Sequence, residues 1–454
     1  MLPSSAETHD GNRITIAYFC LSALDLLGAL ETSFTKTERQ KWIEWVWKLQ
    51  ANQGGFRGST FMSTTSPQST DDITLGSLHS IPQTDPGHLP STYTALLVLG
   101  ILRAPAHEWV NKLDVDGLER FLCACADVNG SFSPIPVSQT VQNSDNSPPF
   151  QSDARMSYCA AVIHDFVTIA KHPRSRQPAS YVPYEPSTET TGRRDVVGSV
   201  AVATIEDRCP DTRWEKRTRE WLSECQTWEG GFAQHPGLEA QGGTTYCIIT
   251  SLALLNGSTG QDNWSTGIDS VGATRYLVAR QLGGNSDDAH SNTDEVDTGV
   301  GGGFQGRPGK DEDVCYSFWC GAAMRVLHGK ALFDTEANTR ALLNSQSPMG
   351  GFGKAKGDYP DPYHAYLALA ALAMNEHEPK NISFDKAAEC LETNLLAPAS
   401  TEMRGGEQPR YPSLNLKALD PQWNVTIDSR AYIERCLGDI YNQKYADQGT
   451  STPP

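Results

Sequence analysis

Hydrophobic positions along this chain recur with a helical period, and strand-like alternation is nearly absent. Residues 12–31 place Ile14, Ile16, Ala17, Phe19, Leu21, Leu24, Leu26 and Leu27 on the apolar side of one helix. A second helix is predicted from Thr37 to Gln50 and carries three tryptophans. Further along, Ala/Leu-rich stretches such as Ala365 to Met374 alternate with more polar helices such as Asp211 to Gln226 and Thr335 to Gln346.

A glycine turn punctuates the alternation and marks an internal repeat. Gln50 precedes Gly54-Gly55-Phe56, Gln226 precedes Gly230-Gly231-Phe232, and Gln346 precedes Gly350-Gly351-Phe352. Asn129-Gly130-Ser131-Phe132 is a weaker copy, and Gln281 begins one that is interrupted before Gly302-Gly303-Phe304. A polar helix before each turn and an apolar helix after it predict an all-α fold in two concentric layers. Repeats of this length commonly build open solenoids. The inner helices here are too apolar to line an exposed concave face, so a closed α/α toroid is expected, with the turns on one rim. One domain would span residues 1–442. Loop insertions are expected near 136–150, 173–210 and 282–300, and a flexible tail at 443–454.

Composition narrows the function. The chain has 454 residues and is 38% hydrophobic, enough for a large core. A net charge of −17 argues against nucleic acid as a partner. The 11 cysteines have no framework spacing, the first residues lack a secretory pattern, and no apolar run reaches the ~18–20 residues of a membrane span. Free thiols in a cytoplasmic setting are expected.

The densest chemistry lies between Gly302 and Trp319. Glycines and a proline predict a loop, and the apolar run to Leu327 predicts a helix. Asp313 and Cys315 therefore fall where loop becomes helix, a place that stabilises carboxylate and thiolate. They suit two ligands of a zinc site. His364, after Pro360-Asp-Pro362, opens the next apolar helix as Cys315 opens its own, and is the best third ligand. Three ligands with an open fourth position would be the catalytic pattern. Arg307, Lys310 and Lys354 on the same two turns suit a diphosphate. A capping Asp, a buried Cys, a surface His and solvated cations account for the same residues. Tyr158, Tyr246, Cys247, Tyr316 and Trp319, near helix starts, fit either a cavity wall or plain core.

Gly303-Phe-Gln-Gly-Arg-Pro-Gly-Lys followed by Asp313-Val-Cys-Tyr-Ser-Phe-Trp resembles the zinc and diphosphate segment of protein prenyltransferase β subunits. The likeness runs from Asn12 to about Met374 and implies an α/α barrel. The Asp-x-Cys-Tyr-Ser segment is highly specific, whereas terpenoid cyclases have comparable glycine repeats. The helix from Asn12 to Asp25, Gly55-Phe-Arg-Gly-Ser and Gly87-His-Leu-Pro-Ser-Thr-Tyr-Thr look like the geranylgeranyl-transferring branch.

The resemblance implies Zn²⁺ on Asp313, Cys315 and His364, and diphosphate contacts from Arg307, Lys310 and Tyr316. It sets His88 and Arg155 near the last residue of a bound peptide. Phe19, Tyr158, Gly243, Cys247 and Trp319 would contact substrate. Thr15 stands where farnesyl-transferring members have a tryptophan, leaving room for a fourth isoprene unit. Lys354 stands where those members have an Mg²⁺-recruiting aspartate, implying Mg²⁺-independent catalysis. Gln241 departs from a family histidine at the diphosphate, and Tyr363, Met156 and Pro90 depart from the geranylgeranyl branch near the peptide site.

The implied activity is transfer of geranylgeranyl from geranylgeranyl diphosphate to the cysteine of proteins ending in Cys-a-a-X, with X = Leu, small GTPases among them. It is implied as half of a heterodimer with an α subunit. Thr15 and Lys354 disfavour farnesyl transfer, and the first helix fits the Rab-type enzyme less well. A terpenoid cyclase would need an Asp-x-Asp-Asp motif, which is absent. A non-enzymatic helical scaffold is the remaining class and predicts no bound zinc.

Overall fold

The computed structural model describes residues 9–60, 87–136, 152–172, 213–257, 265, 267–283, 301–378 and 413–446. The predicted insertions lie outside these residues apart from Pro136, Leu282 and Gly283. Among the described residues, no helix is long and apolar enough to cross a membrane.

Six apolar helices form the inner layer: α1 (Arg13–Leu26), α4 (Leu89–Ile101), α7 (Ala154–Lys171), α9 (Gly242–Gly257), α11 (Cys315–His328) and α13 (Pro362–Glu376). Each packs on the next, and α13 packs back on α1, so the ring closes. Five more polar helices stand outside it. They are α3 (Lys36–Trp47), α6 (Val115–Cys125), α8 (Arg213–Glu224), α10 (Ser270–Val278) and α12 (Thr335–Asn344). They pack on α4, α7, α9, α11 and α13 respectively. Two short helices, α2 (Leu30–Ser33) and α5 (Ala106–Lys112), complete this part. The predicted closed toroid is the observed fold. Inner helices such as α4 are buried from Ser91 to Ile101 because apolar neighbours cover them on both sides.

The glycine turns have a common construction. Gln50, Ala126, Gln226, Gln281 and Gln346 each form an antiparallel bridge with the following phenylalanine, Phe56, Phe132, Phe232, Phe304 and Phe352. Three of the glutamines also clamp the next outer helix. Gln281 donates to the Asp334 carbonyl at 2.8 Å and accepts from the Asp334 amide at 3.0 Å. Asp334 in turn caps α12 by accepting from Ala337 N. Gln226 with Asp269 repeats this, and Gln50 accepts from Asp114 N while donating to Lys112 O. The glycine is required where the clamp closes: Gly230 has φ +94°, and a Cβ there would lie 2.2 Å from Gly272 O.

The last described segment carries a feature the sequence pattern does not reveal. A two-stranded hairpin, β1 (Leu419–Asp420) and β2 (Val425–Thr426), leads into α14 (Ile427–Lys444). The helix therefore runs two residues into the predicted tail, whose residues from 447 lie outside those described. The segment meets the inner helices at their C-terminal ends: Lys417 N donates to Leu26 O, His377 Nε2 lies 2.8 Å from Leu416 O, and Ile433 packs on Gly100. Its turn, residues 421–424, sits inside the ring. Tyr18 and Tyr366 donate to Asn424 O, Tyr93 to Trp423 O, Tyr158 to Gln422 O and Tyr246 to Pro421 O. Five inner helices thus grip one turn through tyrosine hydroxyls. The sixth, α11, supplies Phe318, packed on Tyr246. The toroid is a cup, stopped at this end and lined at the other by the N-termini of the inner helices.

Candidate active site

The loop of residues 301–314 reaches the rim between α10 and α11. Backbone bonds stitch it to both neighbours: Gly242 N donates to Gly306 O at 2.9 Å, and Val314 N donates to Lys354 O at 2.9 Å. Three successive turns are thereby locked into one surface at the mouth of the cup.

On that surface Asp313, Cys315 and His364 converge, with one potential ligand atom from each lying within 4.8 Å of the others. Asp313 Oδ1 accepts from Cys315 N at 3.0 Å and lies 3.5 Å from His364 Nε2. The other ring nitrogen of His364 meets Asp361 Oδ2 at 2.6 Å, while Asp361 Oδ1 caps α13 by accepting from Tyr363 N and His364 N. A carboxylate on Nδ1 turns Nε2 toward Asp313 and raises its basicity, as outer partners of metal-bound histidines do. Acid, thiol and imidazole in one half-buried place fit zinc, and the three-residue set leaves room for a further ligand.

The charges respond to this crowding. Burial opposes ionisation of Asp313, but hydrogen bonds from His364 and Cys315 prevail and hold its carboxyl below the usual range. Burial would lower His364; Asp313 and Asp361 outweigh it and raise the imidazole. Burial, reinforced by Asp313, pushes the Cys315 thiol far up.

The cations are distributed around the same mouth. Arg307 is half-buried and pairs through Nη1 with Glu239 Oε2 at 2.6 Å; Lys310 and Lys354 are exposed. Gln241 Nε2 donates to the Tyr316 hydroxyl at 2.7 Å. Burial raises the Tyr316 phenol to about 12, so it remains a proton donor. Inward of these three residues the wall is aromatic. Trp319 Nε1 donates to Tyr363 Oη at 3.2 Å, Tyr363 packs edge-on against Phe19, and Trp319 packs on Tyr246. Thr15 is half-buried one turn before Phe19 on α1, its hydroxyl donating to Asn12 Oδ1. Gly243 lies under Trp319.

Other expected residues lie elsewhere in the cup. His88 and Arg155 open α4 and α7, across the ring from α11 and α13. His88 is half-buried, and burial lowers its pKa. Arg155 is exposed and pairs bidentately with Asp153, which raises its pKa. Cys247 and Cys159 are buried, and burial pushes both thiols up, Cys159 to about 12. Tyr158 stands in the tyrosine ring, its hydroxyl held by the 421–424 turn and by Tyr93 and Tyr246. Sequence reasoning missed Asp361 and Glu239. The first was legible as an acid one residue before a helix-opening proline. The second carries no signal, because its partner is 68 residues away.

The family model described as "Prenyltransferase alpha-alpha toroid domain" matches residues 1–425. The chain is 27% identical over 391 residues to the geranylgeranyl transferase type-1 subunit beta of Arabidopsis thaliana, covering 83% of this chain and 82% of that protein. It is 26% identical over 384 residues to the protein farnesyltransferase subunit beta of Schizosaccharomyces pombe, covering 82% and 74%. Among solved structures, the Candida albicans protein geranylgeranyltransferase-I complexed with GGPP superposes with a TM-score of 0.64. It is 23% identical and covers 96% of this chain and 94% of its own.

Proposed function

Because this chain belongs to the prenyltransferase α/α-toroid family, we propose that it is the β subunit of a type I protein geranylgeranyltransferase. On this reading it transfers a geranylgeranyl group to the cysteine of proteins ending in Cys-a-a-Leu. The observation that carries the reading is the convergence of Asp313, Cys315 and His364 beside Arg307, Lys310, Tyr316 and Lys354, above an aromatic-walled cup. The similarity to the Arabidopsis subunit supports the lipid assignment.

Asp313, Cys315 and His364 would hold zinc. Zinc bound there supplies the Lewis acidity that keeps a substrate thiol as thiolate near neutral pH. The thiolate attacks C1 of geranylgeranyl diphosphate; the carbon–sulfur bond forms and the carbon–oxygen bond breaks, leaving the electron pair on diphosphate. Arg307, Lys310 and Lys354 meet that growing charge as cations, and Tyr316 as a hydrogen-bond donor. With a lysine at 354, no Mg²⁺ is needed to neutralise the leaving group. The wall formed by Phe19, Tyr363 and Trp319 receives the lipid, and His88 and Arg155 receive the peptide's end from across the mouth. An α subunit completes the enzyme.

The test is co-expression with a prenyltransferase α subunit, then competition between farnesyl and geranylgeranyl diphosphate on Cys-a-a-Leu and Cys-a-a-Ser peptides. Preference for the longer lipid and the Leu peptide, one zinc per heterodimer, and a rate unchanged by millimolar Mg²⁺ are expected. The Schizosaccharomyces pombe similarity favours farnesyl transfer as the second reading. Preference for the shorter lipid with strong Mg²⁺ stimulation would establish that one instead.

A further inference from the structure

Gln241 stands where the resemblance places a diphosphate-contacting histidine, yet its side chain is committed inside the protein. Its Oε1 accepts from Thr244 N at 2.9 Å and from Thr244 Oγ1 at 3.2 Å. A backbone N–H can only donate, so the oxygen must face α9 and the amide nitrogen must face outward. That nitrogen lies 2.7 Å from the Tyr316 hydroxyl. An amide nitrogen can only donate as well, so Tyr316 Oη is the acceptor in this bond. Its own proton is then directed away from Gln241. Two residues earlier, Glu239 takes one N–H of the half-buried Arg307.

We propose that Gln241 is a positioning residue, which by capping α9 with its oxygen and donating its N–H to Tyr316 aims the phenolic proton at the diphosphate. Gln241 then acts through Tyr316, rather than as the ligand that a histidine in its place would be. The proposal rests on the prenyl-transfer reading for what the proton is aimed at.

Two substitutions separate the parts. Gln241→Glu keeps the length and the capping oxygen but turns the donor into an acceptor, drawing the phenolic proton toward itself. Gln241→Met keeps the length and removes all three bonds. The experiment is a double-mutant cycle with Tyr316→Phe in the heterodimer, reading single-turnover transfer from geranylgeranyl diphosphate and, separately, calorimetric binding of inorganic pyrophosphate. With Tyr316 present, Gln241→Met is expected to slow transfer and weaken pyrophosphate by about tenfold, the scale of a directly coupled contact. In the Tyr316→Phe background the same change should cost less than twofold. Gln241→Glu should lose as much function while melting at the wild-type temperature, because the helix cap survives. Equal losses in both backgrounds would overturn the proposal, as would a fully active Gln241→Glu enzyme. Coupling in pyrophosphate binding without lipid transfer would leave the proposal standing and overturn the function; transfer with additive losses would do the reverse.

Discussion

On the proposed function, Thr15 is the residue on which lipid length would turn. It sits half-buried on α1, one turn from Phe19 and the aromatic wall. Thr15→Trp should fill the space of roughly one isoprene unit. Its kcat/KM for geranylgeranyl diphosphate is expected to drop by more than tenfold while that for farnesyl diphosphate is kept or raised, in line with the discrimination a filled apolar pocket gives. Steady-state competition between the two lipids reads this directly. At the candidate ligands, Cys315→Ala should abolish zinc retention and slow transfer by at least ~10²-fold, as metal-supplied activation is lost. Zinc affinity itself should climb with pH. Both Cys315 and His364 have raised pKa values in the metal-free chain, so binding expels a proton from each below the His364 pKa and one above it. The expected slope is about two decades per pH unit falling to about one, measured by competition with a chelator of known pH dependence. Asp313, Cys315 and His364 were legible because two of them share one motif and the third opens the next repeat. Glu239 was not, since an ion pair between loops exists only once the toroid brings them together.

At the scale of elements, the repeat is a glutamine that reads the start of the following outer helix. Periodicity made the turns visible, but not the reason for them. The turn places its glycine against the first turn of the next outer helix, so a side chain there strikes backbone and cannot swing away. Gly230→Ala combines a positive φ with a Cβ 2.2 Å from Gly272 O. It should lower stability by about 3 kcal/mol or more, adding backbone strain to overpacking. Chemical denaturation checks this, and Gly237→Ala, with positive φ but open space, should cost distinctly less. Register within the inner helices was harder to read. The Cys-Tyr-Ser opening of α11 looks equivalent to the Thr-Tyr-Cys opening of α9. In three dimensions Phe318 takes the place that Tyr246 holds in the ring, and Tyr316 turns to the rim. A helix start preceded by a loop of different shape shifts the phase, and composition does not record the shift.

For the whole molecule, the closed ring and its stopper depend on buried charges. Asp25 is 1% exposed and accepts from Lys417 Nζ, Thr426 Oγ1 and Ser429 Oγ, each at 2.7 Å. Arg430, buried in the same segment, meets Asp420 and Glu434, and Trp423 donates its indole N–H to Asp165 on α7. Asp25→Ala strands an ammonium and two hydroxyls. It should cost about 3 kcal/mol and loosen the segment first, which hydrogen exchange at Tyr366 and Asn424 would detect before global melting. None of this was legible: the likeness faded near Met374, and an acid among the apolar residues of α1 gives no hint of partners some 400 positions away.

Those separations bear on how the chain is made. The partners of Asp25 lie 392, 401 and 404 residues further along. During synthesis, α1 therefore emerges with a carboxylate whose binding site does not yet exist, and with tyrosines whose acceptor turn is still untranslated. The cup cannot be stopped until the ribosome has passed Ser429. Until then the inner helices present an unfinished apolar concavity, the kind of surface that aggregates unless it is shielded. The last segment sets the moment at which the cup can be stopped.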